Sequence, residues 1–379
     1  MHVQKLQYDP SNGWNAAFDI ADSEQTLVLV FGASRYLADP AAIAELRQRF
    51  PRAAFAGCST SGEVFADTVR DDTLAVAITR FDKTTLRQAT CTIDDAERSR
   101  EVGAALGEQL RVDDLRGVLL LSDGLGVNGT DLARGLTAAL GDGVIVTGGL
   151  AGDGSRFERT WVFGGDGAPT AGAITAVGFY GDSVRIGHGS RGGWDTFGPE
   201  RKVTRSSSNV LFELDGRPAL ELYKEYLGAR AEGLPATALL FPLSIRDPQG
   251  ADKQLVRTVL AVDEDEQSMT FAGDIPQGWH AQLMTASFDR LIDGAADAAE
   301  MARRDDENAL TTLAIAVSCV GRRLVLGERA EEELEATRDA LPAATELVGF
   351  YSYGELSPSA DGSCDLHNQT MTLTTIQED

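Results

Sequence analysis

The sequence predicts an α/β protein of two domains, with mixed parallel and antiparallel sheets built from a repeated strand–helix–strand–loop–strand unit. Three observations predict it. Short apolar runs alternate with helical, capped stretches. That pattern occurs three times along the 379 residues. Two of its loops, GCSTSGE and GFYSYGE, align position by position, Gly57 with Gly349, Gly62 with Gly354 and Glu63 with Glu355. The segments after these loops are too short for a crossover helix, so antiparallel strands must join the parallel ones.

The first copy opens with the strand Leu27 to Phe31. A helix follows in DPAAIAELRQRF, with Asp39 as cap and Pro40 in its first turn. A second strand, Arg52 to Gly57, runs into GCSTSGE, and TLAVAITRF closes the copy. The second copy starts at Gly117 to Leu121. Its helix is GTDLARGLTAAL, capped by Thr130 or Asp131; GVIVTGG then runs into LAGDG, and TAVGFYG follows. The third copy starts at Leu313 to Val317. Its helix is ERAEEELEATRDAL, its second strand ELVGF enters YSYGE, and MTLTTI ends the chain. Each loop sits at the C-terminal end of a strand, where open α/β sheets bind ligands.

Between copies two and three the pattern changes. RKVTRSSSNVLFELDG reads as strand, turn and strand, and ALELYKEYLGARAE as a helix. ALLFPLSIRD and LVRTVLAVD read as paired strands, DEDEQ as an acidic turn, and TASFDRLIDGAADAAEMARR as an amphipathic helix. The domain boundary is placed near Arg217. This gives an N-terminal extension over 1–25, a first domain over 26–217 and a second over 218–379.

Composition excludes several functions. Net charge is −24, with 43% apolar and 24% charged residues. Phosphate binding needs clustered Lys and Arg, so a nucleic-acid partner is not expected, nor is docking on an anionic membrane. No apolar run approaches the ~20 residues of a membrane span, and the N-terminus lacks a signal-peptide core. Cys58, Cys91, Cys319 and Cys364 form no CxxC pair, as in a cytoplasmic protein with reduced thiols.

The candidate chemistry lies in the loops. A hydrolase elbow needs G-x-S-x-G, but Gly57 and Gly62 are one residue too far apart. Cys58 and Ser59 have no base or cation beside them in the loop. Enzymatic function is therefore not expected. The hydroxyls and backbone N–H groups of Cys58, Ser59, Thr60, Ser61 and Glu63, and of Ser352 and Glu355, form either a tight turn or the wall of a ligand cavity. In SCVGRR, Cys319 and Arg322 end a strand facing the same place. Arg322 there is a clamp for a carboxylate, the partner of Glu355, or a surface residue. His188 lies among glycines in GHGSRGGW, where a large flat ligand can approach the backbone. His367 and Asn368 open the last strand in LHNQT, His280 reads as a surface residue, and His2 lies in the tail. No HxxxH spacing exists, which argues against a protein-only zinc site. LSDGLGVNGTD has the wrong spacing for a calcium loop and reads as a turn leading into a helix cap.

GCSTSGEVF, GGLAGDGSRF, ALELYKEYLG, SCVGRR and GFYSYGELSP with LHNQTMTL together resemble the FIST sensory proteins, over about Thr26 to Thr375. The resemblance implies a FIST N domain followed by a FIST C domain, acting as a ligand sensor in bacterial signal transduction. Small molecules such as amino acids are one implied ligand class. The free-standing members also imply haem, nitric oxide sensing and control of a partner histidine kinase, with effects on biofilm. On that reading His188 and His367 are the axial-ligand candidates, with Cys319 and Tyr353 as fallbacks, Arg322 as a propionate clamp, and a homodimer left open. The alternatives are a haem-free sensor of a small organic ligand and, third, a Cys- or Ser-dependent hydrolase.

Overall fold

Runs such as TLVLVFG and TLAIAVSC are apolar at every position, the pattern of strands covered on both faces. In the computed structural model each is buried along its whole length. The structure describes residues 1–234, 236–249, 254–303, 311–359 and 362–379. Among these, three sheets share one strand order. In each unit the first and second strands are parallel: Thr26–Gly32 with Ala54–Ser59, Leu115–Ser122 with Ile145–Leu150, and Thr312–Cys319 with Thr345–Ser352. The third strand returns antiparallel to the first, as Leu74–Arg80, Ala173–Tyr180 and Met371–Glu378. A lead-in strand then pairs outside the third: His2–Asp9, Thr85–Thr92 and Val184–Arg191.

The short strand after each loop leaves its own sheet. Glu63–Phe65 of unit one pairs with Thr345–Ser352 of unit three. Gly354–Pro358 of unit three pairs with Ile145–Leu150 of unit two. Val162–Phe163 of unit two pairs with Ala54–Ser59 of unit one. The three exchanges close a ring, so no unit completes its sheet alone.

Strand alternation sends every second side chain to the middle. Leu29 and Phe31, Leu119 and Leu121, and Ile315 and Val317 meet in one central core drawn from all three sheets. Phe31 stacks on Phe350 with ring centroids 4.8 Å apart. The opposite faces carry helices, Ala41–Arg49, Gly129–Leu140 and Phe288–Ala302 among them, over separate apolar layers. The molecule is thus a three-walled prism with helices outside.

An eight-stranded sheet with its own core is inserted into unit three, between the lead-in strand Val184–Arg191 and the helix Phe288–Ala302. It includes the paired strands Leu243–Arg246 and Gln254–Arg257 and the helix Ala219–Leu227. Arg217 and Pro218 form a short strand within it.

Two expected helix caps are corrected. Pro40, which has no N–H, takes the cap position of the first helix, leaving Asp39 one residue early and without a capping bond. In the second unit Asn128 is the cap, accepting from the Asp131 N–H, rather than Thr130 or Asp131. The preceding turn forms as expected: the Asp123 carboxylate accepts the N–H groups of Leu125 and Gly126 at 2.9 and 2.8 Å.

Candidate ligand-binding site

Each loop begins where a glycine lies against the neighbouring parallel strand. A Cβ on Gly57, Gly148 or Gly349 would sit 2.2, 1.9 or 1.9 Å from the carbonyl oxygen of Val30, Leu120 or Ala316. The chain then crosses to the next sheet, and in units one and three a buried carboxyl fastens the crossing. Glu63 Oε1 accepts from Thr60 Oγ1 at 2.5 Å, and Oε2 accepts from Thr73 N and Oγ1, both at 3.0 Å. Glu355 repeats this with Ser352 Oγ at 2.7 Å and with Thr370 N and Oγ1 at 3.3 and 3.0 Å. Burial pushes both carboxyls up to about 8, against the pull of these donors. Unit two has Val162 at the matching register.

The three loops also hold one another. Ser61 N–H donates to the Tyr351 carbonyl at 2.7 Å, Tyr351 N–H to Gly62 at 2.9 Å, and Gly152 N–H to Ser59 at 2.8 Å. Ser59 Oγ accepts from Trp161 N–H, and Ser61 Oγ from Gly154 N–H, both at 3.0 Å. Cys58 is in the central core, where burial raises its thiol well above the ordinary range. GCSTSGE is therefore engaged in joining the sheets, which its spacing of small residues did not reveal.

Arg322 is also engaged elsewhere than expected. Its Nε and Nη2 donate to Glu333 Oε2 at 3.0 and 2.7 Å, and its remaining N–H groups reach the carbonyls of Leu291 and Gly192. Ser318 and Tyr351 donate to the other Glu333 oxygen. The pair is fully buried. Its partner is Glu333, not Glu355, because Glu355 already has the hydroxyls of Ser352 and Thr370, and the outer helix Ala330–Ala340 brings Glu333 over the strand.

A large cavity, about 510 Å³, lies between the loop end of the prism and the inserted sheet. Ser155 and Phe157 come from the second loop. Cys319, Val320, Gly321 and Leu324 come from the end of the third unit's first strand and the helix after it; Tyr353 comes from the third loop and Asn368 from the final turn. The inserted sheet and its connections contribute Gly233, Leu234, Leu239, Thr258, Val259, Leu260 and Ala272. No charged side chain is among the described lining residues. Phe157, Leu260 and Leu324 are 46–48% exposed and form its mouth. Phe157 stacks on Tyr353 at 4.3 Å with an interplanar angle of 13°. The backbone of Phe157 is held at φ +55°, and its N–H donates to the Tyr353 hydroxyl at 3.2 Å.

Of the residues singled out from sequence, Cys319, Tyr353 and Asn368 line this cavity. Cys58, Ser59, Thr60, Ser61, Glu63, Ser352 and Glu355 are fastened into the crossings, and Arg322 into its ion pair. His188 lies on the lead-in strand of the third sheet, and burial lowers its pKa. Its neighbours Gly187 and Gly189 make room for a helix, not for a flat ligand. A Cβ on either would lie 2.1 Å from a carbonyl of Ala302 or Ala298. His367 is on a strand of the second sheet, its Nε2–H directed at the Ser357 carbonyl at 3.1 Å. His280 contacts Glu200 and Arg246 near the surface, as expected. Thr258, Phe157 and Leu324 were missed, since nothing local marks them; the insert alone brings them together.

Haem needs an axial His, Cys or Tyr. The cavity lining contains no histidine. Burial raises the Cys319 thiol strongly and the Tyr353 phenol to about 12, and no lining cation is present for the propionates. The two histidines expected as axial ligands lie outside this cavity, which holds only the fallbacks Cys319 and Tyr353. Among the described residues no group of three or more His, Cys, Asp or Glu side chains is placed to hold a metal ion. Nor is any described helix long and apolar enough to cross a membrane.

A mostly apolar cavity at the joint of two substructures is the kind of place where proteins hold small ligands. The FIST N domain model matches residues 26–217 and the FIST C domain model matches 219–358. The chain belongs to the FIST family, whose domains are ligand-sensing modules of signal transduction. No curated protein matches it.

Proposed function

We propose that the signal sensed by this chain is a small molecule bound in the cavity between the prism and the inserted sheet. The observation that carries this is the composition of the wall. Ser155 and Phe157 belong to the FIST N region, Leu260 and Leu324 to the FIST C region, and Asn368 to the final turn. A ligand there touches every substructure that would have to move. Occupancy would shift the inserted sheet against the prism and change the face offered to a signalling partner, such as a sensor histidine kinase. We take the role as binding without catalysis, since Cys58 and Ser59 are committed to the core and the crossing. The four cysteines, none in a CxxC pair, suit a reducing, cytoplasmic setting. A haem-linked response to nitric oxide rests on the resemblance alone.

The test is a small-molecule screen read as thermal stabilisation, run on the natural chain and on Leu324→Arg, which places a charge at the exposed mouth. Compounds that raise Tm for the natural chain alone support the site. Compounds that raise both equally bind elsewhere and overturn it. An absorption spectrum with supplied haem and nitric oxide completes the test. A stoichiometric Soret band lost in His188→Ala or His367→Ala would move the site to those strands.

A further inference from the structure

The walls of the cavity specify what it takes; this step rests on the reading just given. Asn368 is fully buried, and its Nδ2–H donates to the His367 carbonyl at 3.0 Å, which fixes the orientation of the amide. Its Oδ1 has no partner among the described residues. Thr258, another lining residue, between two strands of the inserted sheet, is 4% exposed, and its Oγ1 also has no partner among the described residues. A buried acceptor left unpaired is costly, so native structures rarely keep one without a ligand or water. Both residues line the cavity; the Asn368 oxygen can only accept, so it calls for a hydrogen-bond donor, and the Thr258 hydroxyl can accept from one as well or donate.

The neighbouring cations are already engaged, half-exposed Arg156 beside Phe157 by Asp153. Arg322 is held by Glu333. Arg323 is held by Asp71 at 2.8 Å and by the Ser61 carbonyl. Arg257, buried beside Thr258, donates to the carbonyls of Asp274, Val256 and Leu366 at 2.9–3.1 Å. A carboxylate in this cavity would be desolvated against Leu, Val and Phe side chains with no countercharge. An ammonium would meet no carboxylate. The stacked Phe157 and Tyr353 rings add a flat apolar wall.

We propose that the cavity binds an uncharged, largely apolar molecule with a planar portion and an N–H or O–H donor directed at Asn368 Oδ1 and Thr258 Oγ1. This excludes free amino acids and other carboxylates as its ligands.

Three probes of one skeleton test it on the full chain. N-phenyl-1-naphthylamine is neutral with one N–H, and it fluoresces in apolar sites. Its N-methyl derivative lacks the donor. 8-Anilinonaphthalene-1-sulfonate adds a negative charge. The expected result is saturable binding of the neutral amine, with the N-methyl and sulfonate forms each weaker by about tenfold or more. In Asn368→Ala the advantage of the amine over its N-methyl form should shrink, and in Leu324→Arg binding of the amine should fall. Should Asn368→Ala not fold, Thr258→Val carries the same comparison. Equal or tighter binding of the sulfonate, lost in Leu324→Arg, overturns the ligand class and leaves the site standing. Binding of the amine that Leu324→Arg does not change, or no binding of any probe, overturns the site itself.

Discussion

Units one and three carry the same crossing and put it to different uses. In both, a glycine admits a carbonyl, a hydroxyl and a threonine fasten a buried glutamate, and the next strand joins another sheet. The pairing registers also align Tyr36 with Arg322, four residues beyond the last residue paired in the first strand of unit one and its counterpart in unit three. Tyr36 is buried, with its hydroxyl on the Asp72 carbonyl, while Arg322 is locked to Glu333. Around unit one Trp161 closes the end of the sheet, its indole N–H donating to the Ala33 carbonyl at 3.1 Å. Around unit three the corresponding end opens onto the cavity under the inserted sheet. A shared motif therefore marks a structural joint, and the ligand site arises where one copy is covered differently.

The largest expected effect separates the units. Removing one partner of the buried pair, in Arg322→Met or Glu333→Leu, should cost roughly 3–5 kcal/mol, because the other charge is left buried alone. Replacing both should cost less than either single change. Tyr36→Phe in unit one loses a single hydrogen bond and should cost about 1 kcal/mol. Denaturant midpoints at constant m-value measure all four, and equal losses at Tyr36 and Arg322 would remove the distinction.

The next effect should be equal in both units. A Cβ at Gly57 or Gly349 meets backbone at about 2 Å, and overpacking of this kind costs about 1–3 kcal/mol. Gly57→Ala and Gly349→Ala should therefore destabilise alike. If one were tolerated, the two crossings would not be equivalent.

A pH titration sharpens the likeness further. Burial raises the Glu63 and Glu355 carboxyls from 4.5 to about 8, so folding takes up protons between these values. Their contribution is full below pH 4.5, declines as pH rises, and is lost above about 8. Glu63→Gln and Glu355→Gln, which imitate the protonated acid, should each flatten stability between pH 5 and 8 by a similar amount, seen as a smaller change in Tm. A slope unchanged in either variant would mean that the carboxyl keeps its charge in the folded protein.

The smallest effect distinguishes the two thiols. Both are buried and raised, but Cys319 lines the cavity and Cys58 lies in the central core. Maleimide labelling of the folded chain should reach partly exposed Cys91 first, Cys319 slowly through the mouth, and Cys58 only on unfolding. Leu324→Arg should slow Cys319 and leave Cys91 unchanged. Mass spectrometry of time points would show the order.

The sequence by itself determined the local units. Apolar runs buried on both faces marked the strands, and the spacing of Gly57, Gly62 and Glu63 repeated at Gly349, Gly354 and Glu355. Together they made the three units and the mixed sheets legible, because hydrophobic period and glycine placement act over a few residues. The motifs GCSTSGE and YSYGE with LHNQT also carried the family. Tertiary structure alone decided that the loops trade strands in a ring, that Arg322 meets Glu333, and that Glu63 and Glu355 fasten crossings. It also decided that Asn368 and Thr258 line one cavity. Arg322 and Glu333 are 11 positions apart, and the exchanged strands Glu63–Phe65 and Thr345–Ser352 nearly the whole chain apart. No local pattern encodes which distant surface will cover a loop, and that covering separates a joint from a binding site.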